Sequence, residues 1–336
     1  MAGACATCQG QAQKTLAEVL PRDASGIAAI LESRRVVFET MSGMARREEQ
    51  IPITEATEFD VGSIAKTFTA VAVLRLAESG KLALDDPIGR FFHGVPADKQ
   101  AITVAHLLKH TSGLVRYVSE SDFEDMTRDE AIRRILIAPV RRPPGVAEEY
   151  ADSNYIYLAA IVEVVTHQPF AEYIRASILD PLGLTRTMFY GDPRLSHLPV
   201  AIGYLGGTQK GDPRAWPLTW SILGAGGMLS DLGDLARWID SVAGGQLLSE
   251  QFQREVLRPG LKRWTAGWEV QTEPFGTVVS KGGANDFGHS AAIAFVESTN
   301  VRAIVLLNSH SPSESALHHT VAKELLRAYF NKKSNP

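Results

Sequence analysis

Cysteine is almost missing from this chain of 336 residues: Cys5 and Cys8 are its only two, both within the first ten positions. So sparse a supply excludes a disulfide framework, and the C-x-x-C pair has no second ligand pair nearby to complete a zinc site. Residues 1–10 are read as an inert tail, with a local disulfide as the alternative. A surplus of one charge is also lacking. Set against each other, 34 Lys and Arg and 38 Asp and Glu leave −4, with no basic block, which gives no support for nucleic-acid binding, so no nucleic-acid partner is expected. No apolar run approaches the roughly 20 residues of a membrane helix, so no membrane span is expected. The start "MAGACATCQG" has neither a basic opening nor an apolar core. As written the chain has no secretory leader, and a cytoplasmic location is expected unless a leader has been removed, when it would be periplasmic or exported. H-E-x-x-H, phosphate-loop and dinucleotide patterns are absent in useful context, so neither metal nor cofactor is expected.

What remains is a globular composition, 45% hydrophobic and 21% charged, with enough length for one large domain or two intimate ones. "RVVFETMSG" (35–43) reads as a strand. Ser63 to Glu78 has apolar residues at helical spacing and Gly80 at the C-terminal end. Thr103 caps "VAHLLKH", and Thr127 with Glu130 forms a capping box before "AIRRIL". "NYIYLAAIVEVVTHQ", "FAEYIRASIL" (stopped by Pro181) and "SDLGDLARWIDSVAG" (capped by Ser230) read as further helices. "TAGWEVQT", "GTVVSKGG", "HSAAIAFVES" and "RAIVLLNS" then read as consecutive antiparallel strands, and "SALHHTVAKELLRAYF" as a closing helix. The economical architecture is α+β, an antiparallel sheet flanked by helices with a mostly helical insertion. Residues 11–75 and 220–331 would build the α/β part and 76–219 the helical part, with a site in the cleft between them.

Three short segments carry chemistry. Ser63 and Lys66 in "FDVGSIAKTFTA" stand three apart, so on a helix they share a face. Serine caps helices well, which is the bland explanation. A helix N-terminus, burial and a second cation would each help Lys66 lose its proton and activate Ser63. Tyr150 and Asp152 in "EEYADSNYIYLAAIVE" open the next constellation. Beside two lysines the Tyr150 hydroxyl is expected to fall in pKa and serve as acid or base, while Asp152 anchors Lys66. Third is Lys281-Gly282-Gly283 in "VVSKGGANDFG". Paired glycines on a strand point to close approach of a ligand or of backbone, and the strand's N–H groups suit an oxyanion.

With these segments in hand, the chain from about Ile27 to Tyr329 resembles the serine hydrolases that share the fold of class C β-lactamases, D-alanyl-D-alanine carboxypeptidases and β-lactamase-like esterases. "FDVGSIAKTFTAVAVLRLAESGKLALDDPI" matches that family's first motif and its helix. "ITVAHLLKHTSGL", "YIRASILDPLGLTRTMF" and "GAGGMLSDLGDLARWI" match its later landmarks, and Tyr155 and Glu163 set the register of Tyr150. The resemblance implies Ser63 as acylated nucleophile, Lys66 as its proton partner and Tyr150 as shared base and leaving-group acid. It implies that Lys281, Gly282 and Gly283 line the substrate strand and that the N–H groups of Ser63 and Ala284 form the oxyanion hole. Two departures pull apart. Asp152 replaces the more frequent asparagine, as in esterase-like members, whereas Lys281 is the choice of β-lactamases and peptidases.

Other features have blander explanations. "GHSAA" (288–292) mimics a nucleophile elbow, but the residues after Ser290 read as a strand. His110, His289, His318 and His319 are read as structural or surface residues, and Trp264 and Trp268 as core aromatics or substrate neighbours. The loop 204–227 is expected to shape an acyl pocket. The expectation is thus a serine hydrolase acting through an acyl-enzyme on a small-molecule ester or amide, preferably a short-acyl ester, with oligomeric state left open. A D-amino-acid peptidase or β-lactamase is the alternative, and a catalytically silent binding or scaffold protein the reading from another class.

Overall fold

The structure, a computed structural model, describes residues 25–311 and 316–334. Cys5, Cys8 and the 1–10 tail lie outside the described residues. Its centre is a six-stranded antiparallel sheet that draws on both ends of the chain. In chain order the strands are β1 (Gly26–Glu32), β2 (Arg35–Ser42), β3 (Glu269–Glu273), β4 (Gly276–Ala284), β5 (Ser290–Val296) and β6 (Val301–Leu307). Across the sheet they run β3-β4-β5-β6-β1-β2, with Gly26 opposite Leu307, Ser290 opposite Leu307, and Ala284 opposite Ser290.

Both faces of this sheet are covered, which explains why β5 and β6 are buried at every position rather than alternating apolar with polar. Ala28, Ile30, Ala303 and Val305 meet Val321, Leu325 and Leu326 of the last helix, Leu317–Ser334, on the outer face. Ile27, Ala29, Leu31, Ile304 and Leu306 point to the inner face and the main core.

Five helices position the candidate residues: α1 (Ala65–Glu78), α2 (Val104–Leu108), α3 (Arg128–Ile137), α4 (Asp152–Thr166) and α5 (Leu232–Ala243). The helix α1 is buried on almost all sides, because it packs against α4 and against Trp238 of α5. Its Phe68 stacks on Trp238 of α5 at 3.9 Å between centroids, and the Trp238 indole donates to Thr67 Oγ1 at 2.9 Å. Such an aromatic pair contributes about 0.5–1.5 kcal/mol beyond the area it buries. Gly80 takes φ +71 just past the α1 terminus, where its N–H bonds Ala77 and that of Lys81 bonds Leu76.

Local expectations fail at several points. Ser63 lies in a tight 3-10 turn, Gly62–Ile64, ahead of α1 rather than inside one continuous helix. Asp231, not Ser230, caps α5: its carboxylate accepts the Asp234 N–H at 2.8 Å, while Ser230 ends a short strand. Pro181 does not stop its helix. The chain widens into a π turn over Arg175–Leu179, which accommodates the missing proline N–H, and ends at Gly183 with φ +65. Only half of the capping box at α3 forms, because Glu130 turns outward to Arg133 and Arg134. The strand foreseen from Thr265 begins only at Glu269; the four residues before it, including Trp268, are turn or unpaired chain.

Candidate active site

The turn Gly62–Ile64 holds Ser63 at the start of α1, and Lys66 comes one helical step later on the same face. The serine is not the cap: Val61 and Ile64 hold the N-cap positions of the turn and of α1. Its Oγ instead accepts from Lys66 Nζ at 3.0 Å and from the Tyr150 hydroxyl at 2.7 Å. Lys66 is fully buried. Its remaining N–H groups reach Ala225 O at 2.6 Å and Asp152 Oδ1 at 2.5 Å, so all three ammonium donors are used. Burial pushes the Lys66 pKa down, and the Asp152 charge only partly opposes it.

Tyr150 arrives from the loop before α4, 87 residues away from Ser63 in sequence. The Asp152 and Ser153 N–H groups both bond Arg116 O, and the Ala151 N–H donates to His110 Nδ1 at 3.2 Å. His110 lies under the Tyr150 ring at 4.5 Å. Burial, then the charges of Lys281 and Lys66, hold the His110 pKa well below its ordinary value, so it serves as a neutral acceptor. Tyr150 departs from the sequence expectation. Burial first, and the Asp152 charge second, push its hydroxyl well above the usual tyrosine range, outweighing Ser63 and Arg116. The lysines are near, but they do not win against loss of water.

Lys281 comes from β4 and is 1% exposed. Its Nζ sits 4.9 Å from the Tyr150 ring centroid and 4.6 Å from that of Trp264. Burial, with Lys66 adding repulsion, lowers its pKa to about 7. Beyond Ser280, which faces Glu269, β3 no longer pairs with β4, so the edge from Lys281 to Ala284 is open on that side. The paired glycines answer to two different neighbours. A Cβ on Gly282 would run into the imidazoles of His318 and His319, whereas one on Gly283 would come within 2.5 Å of Ser63 N. A Cβ on Gly62 would in turn lie 3.1 Å from Ala284 N, so the Ser63 and Ala284 amides sit on adjoining backbone segments.

The cleft beside these groups has a volume of about 810 Å³ and is lined in part by Ser63, Asp152, Gly283, Ala284, Ile222 and Gly226. The expected loop 204–227 therefore reaches it, mainly through its Ser221–Gly227 end; its first half pairs as a hairpin of Gly203–Leu205 with Thr208–Gly211. Ser290 opens β5, is 1% exposed, and lies in no strand-to-helix elbow. Trp268 is a core residue and Trp264 a site neighbour. Sequence patterns passed over His110 as a support for Tyr150, and Arg116 and Glu148 altogether, since none belongs to a spaced motif. Among the described residues, no cluster of three or more His, Cys, Asp or Glu is arranged to hold a metal, and no helix is long and apolar enough to cross a membrane.

The beta-lactamase family profile matches residues 14–327, and the chain belongs to that family. It is 32% identical over 237 residues to a protein of Bacillus subtilis named "Putative penicillin-binding protein PbpX", covering 70% of this chain and 59% of that one. It is 34% identical over 177 residues to esterase EstB of Burkholderia gladioli, covering 47% of this chain and 45% of the esterase. The chain thus spans about half the length of these two relatives. Among solved structures, the octameric penicillin-binding protein homologue from Pyrococcus abyssi superposes with a TM-score of 0.79 at 25% identity, covering 94% of this chain and 76% of that one. The penicillin-binding protein from Bacillus halodurans gives 0.77 at 23% identity, covering 95% and 98%. The fold is that of penicillin-binding proteins and β-lactamases.

Proposed function

We propose that the chain is a serine hydrolase working through an acyl-enzyme on Ser63, with short-acyl esters as preferred substrates. The observation that carries this is the convergence of Lys66 and Tyr150 on one serine oxygen, at 3.0 and 2.7 Å. A scaffold has no use for a buried lysine and a half-buried tyrosine both aimed at a hydroxyl.

In this scheme Ser63 Oγ attacks the substrate carbonyl carbon and its proton passes into the Lys66–Tyr150 pair. The carbonyl oxygen becomes an oxyanion facing the Ser63 and Ala284 N–H groups. As the intermediate collapses, Tyr150 gives a proton to the departing oxygen and the acyl group stays on Ser63. Water then enters, loses a proton to the same pair and releases the acid, restoring Ser63. The two titrations are coupled, so the pair as a unit is the base. A Tyr150 that holds its proton tightly suits good leaving groups, which favours esters over amides. Asp152, a carboxylate where an amide would contact a substrate amide, points the same way. Lys281 favours the alternative of a D-amino-acid peptidase or β-lactamase, because a buried cation there suits a substrate carboxylate.

The direct test is acid quenching during turnover of p-nitrophenyl butyrate, with peptide mass mapping of the quenched protein. A butyryl adduct on the peptide containing Ser63 is expected; turnover with no adduct, or with the adduct on Ser290, would sink the proposal. Relative turnover of that ester and a cephalosporin then decides the substrate class.

Gly283→Ala probes the oxyanion pair. The new methyl would lie 2.5 Å from Ser63 N, so β4 must move off the serine turn. A fall in kcat of about 10²-fold is expected, the scale of losing one oxyanion donor. Unchanged kcat would show that β4 tolerates the displacement and that these amides do not serve the reaction.

A further inference from the structure

Resting on the serine-hydrolase reading above, we propose that Glu148 is a positioning residue that fixes Trp264 against Tyr150 and Lys281. Glu148 lies two residues before Tyr150. Its Oε1 accepts the backbone N–H groups of four consecutive residues: Leu261 at 3.1 Å, Lys262 at 2.6 Å, Arg263 at 3.2 Å and Trp264 at 3.3 Å. Oε2 takes a further contact from the Arg263 N–H at 3.1 Å. Convergent backbone N–H groups of this kind make an anion site, and here a side chain of the same protein fills it.

The turn so held ends in an aromatic ring that packs against Tyr150, His110 and Lys281. Trp264 is 5.2 Å from the Tyr150 ring, 5.1 Å from His110, and lies under Lys281 Nζ at 4.6 Å. It is 6% exposed, so the indole walls Lys281 off from water. The route of action is therefore short. Glu148 ties the 261–264 turn to the loop that delivers Tyr150, and the turn presses Trp264 onto the pair. The other groups acting on Lys281 are Lys66 from α1, Asp152 from α4, Glu269 and Arg263 from the β3 side, His110 after α2, and His319 from the last helix. Of these only Arg263 belongs to the 261–264 turn, through its own N–H, so the other charges stay in place when Glu148 is changed.

Without the carboxylate the turn loses its anchor and water gains access under Lys281. Burial is the first cause of the lowered Lys281 pKa, so easing it moves the pKa upward from about 7. The experiment is kcat and KM for p-nitrophenyl butyrate from pH 5 to 10, with melting curves, for the parent, Glu148→Ala and Glu148→Gln. Glu148→Ala is expected to lose about 10- to 100-fold in kcat, the scale of a small misplacement of reacting groups, with KM nearly unchanged. The ionisation near neutrality in its kcat profile should move to higher pH. Glu148→Gln keeps an acceptor oxygen and should recover much of kcat, with a smaller shift in the same direction. A lower melting temperature with parental kcat and parental pH profile would overturn the proposal, since Glu148 would then only tie two loops together. Should the alanine variant fail to fold, the glutamine variant decides alone: parental kcat and profile overturn the proposal, and a partial loss with an upward shift supports it. Absence of an acyl adduct on Ser63 in the parent would instead sink the hydrolase reading, and this one with it.

Discussion

Ser63→Ala is expected to lower kcat for p-nitrophenyl butyrate by about 10⁴-fold or more, the scale seen when an acylated nucleophile is removed. The change deletes one oxygen and leaves its surroundings close to intact. Lys66 keeps Ala225 O and Asp152 as partners. Tyr150 loses its Ser63 contact but stays packed between His110 and Trp264. Unpairing the tyrosine hydroxyl costs about 1–3 kcal/mol if water cannot reach it. The cleft opens beside it, so the melting temperature should fall little. Loss of turnover with near-parental stability and substrate binding is the expected combination. Parental turnover would mean that the constellation is misread, and Ser290 would have to be tested despite its burial.

Lys66→Met should be nearly as damaging, for two reasons that can be measured apart. Methionine has a similar volume but brings no proton and no charge, so the acylation rate is expected to fall by about 10²–10⁴-fold, the range for a removed acid–base group. It also strips Asp152 of its buried partner. Breaking such a pair typically costs 3–5 kcal/mol, but the Asp152 side chain is 21% exposed, so a value of about 2–3 kcal/mol is expected from denaturant unfolding. The sign at Lys281 is set by its causes. Lys66 repels the Lys281 proton, so removing that charge lets Lys281 hold its proton to higher pH than about 7. An ordinary acylation rate in this variant would assign the proton transfer to Tyr150 alone.

Both predictions start from residues that spacing alone brought into view. Ser63 and Lys66 are three apart at the head of an apolar run, and the helix does the rest. The strands β4, β5 and β6 were equally legible, since short apolar runs broken by turns leave few other solutions. What escaped depends on approach from far along the chain. The sense of the Tyr150 shift comes from its partial burial against His110 and Trp264, far from it in sequence, which no local pattern encodes. Glu148 gained its partners from a turn 113 to 116 residues later. Ser230 and Asp231 are both good capping residues, and only the pairing of Ser230 with Phe59 decided between them. The two glycines of β4 were rightly tied to close approach, but the approaching groups include the protein's own histidines and serine turn.

The antiparallel pairing of β1 with β6 has a bearing on how the molecule is made. Gly26 sits opposite Leu307, so β1, which can pair with β2 at once, cannot find β6 until residue 307 has been synthesised. Lys66 likewise awaits Ala225, and the serine turn awaits β4. Contacts of such long sequence separation are slow to form, because loop closure must come before any reward. The helical segments between have local contacts and can gather first on the ribosome. The proposed nucleophile is therefore translated early and its surroundings are completed late. A nascent chain carries Ser63 without Lys281 or the Ala284 amide, and the proposed site is assembled only when β4 to β6 close the sheet.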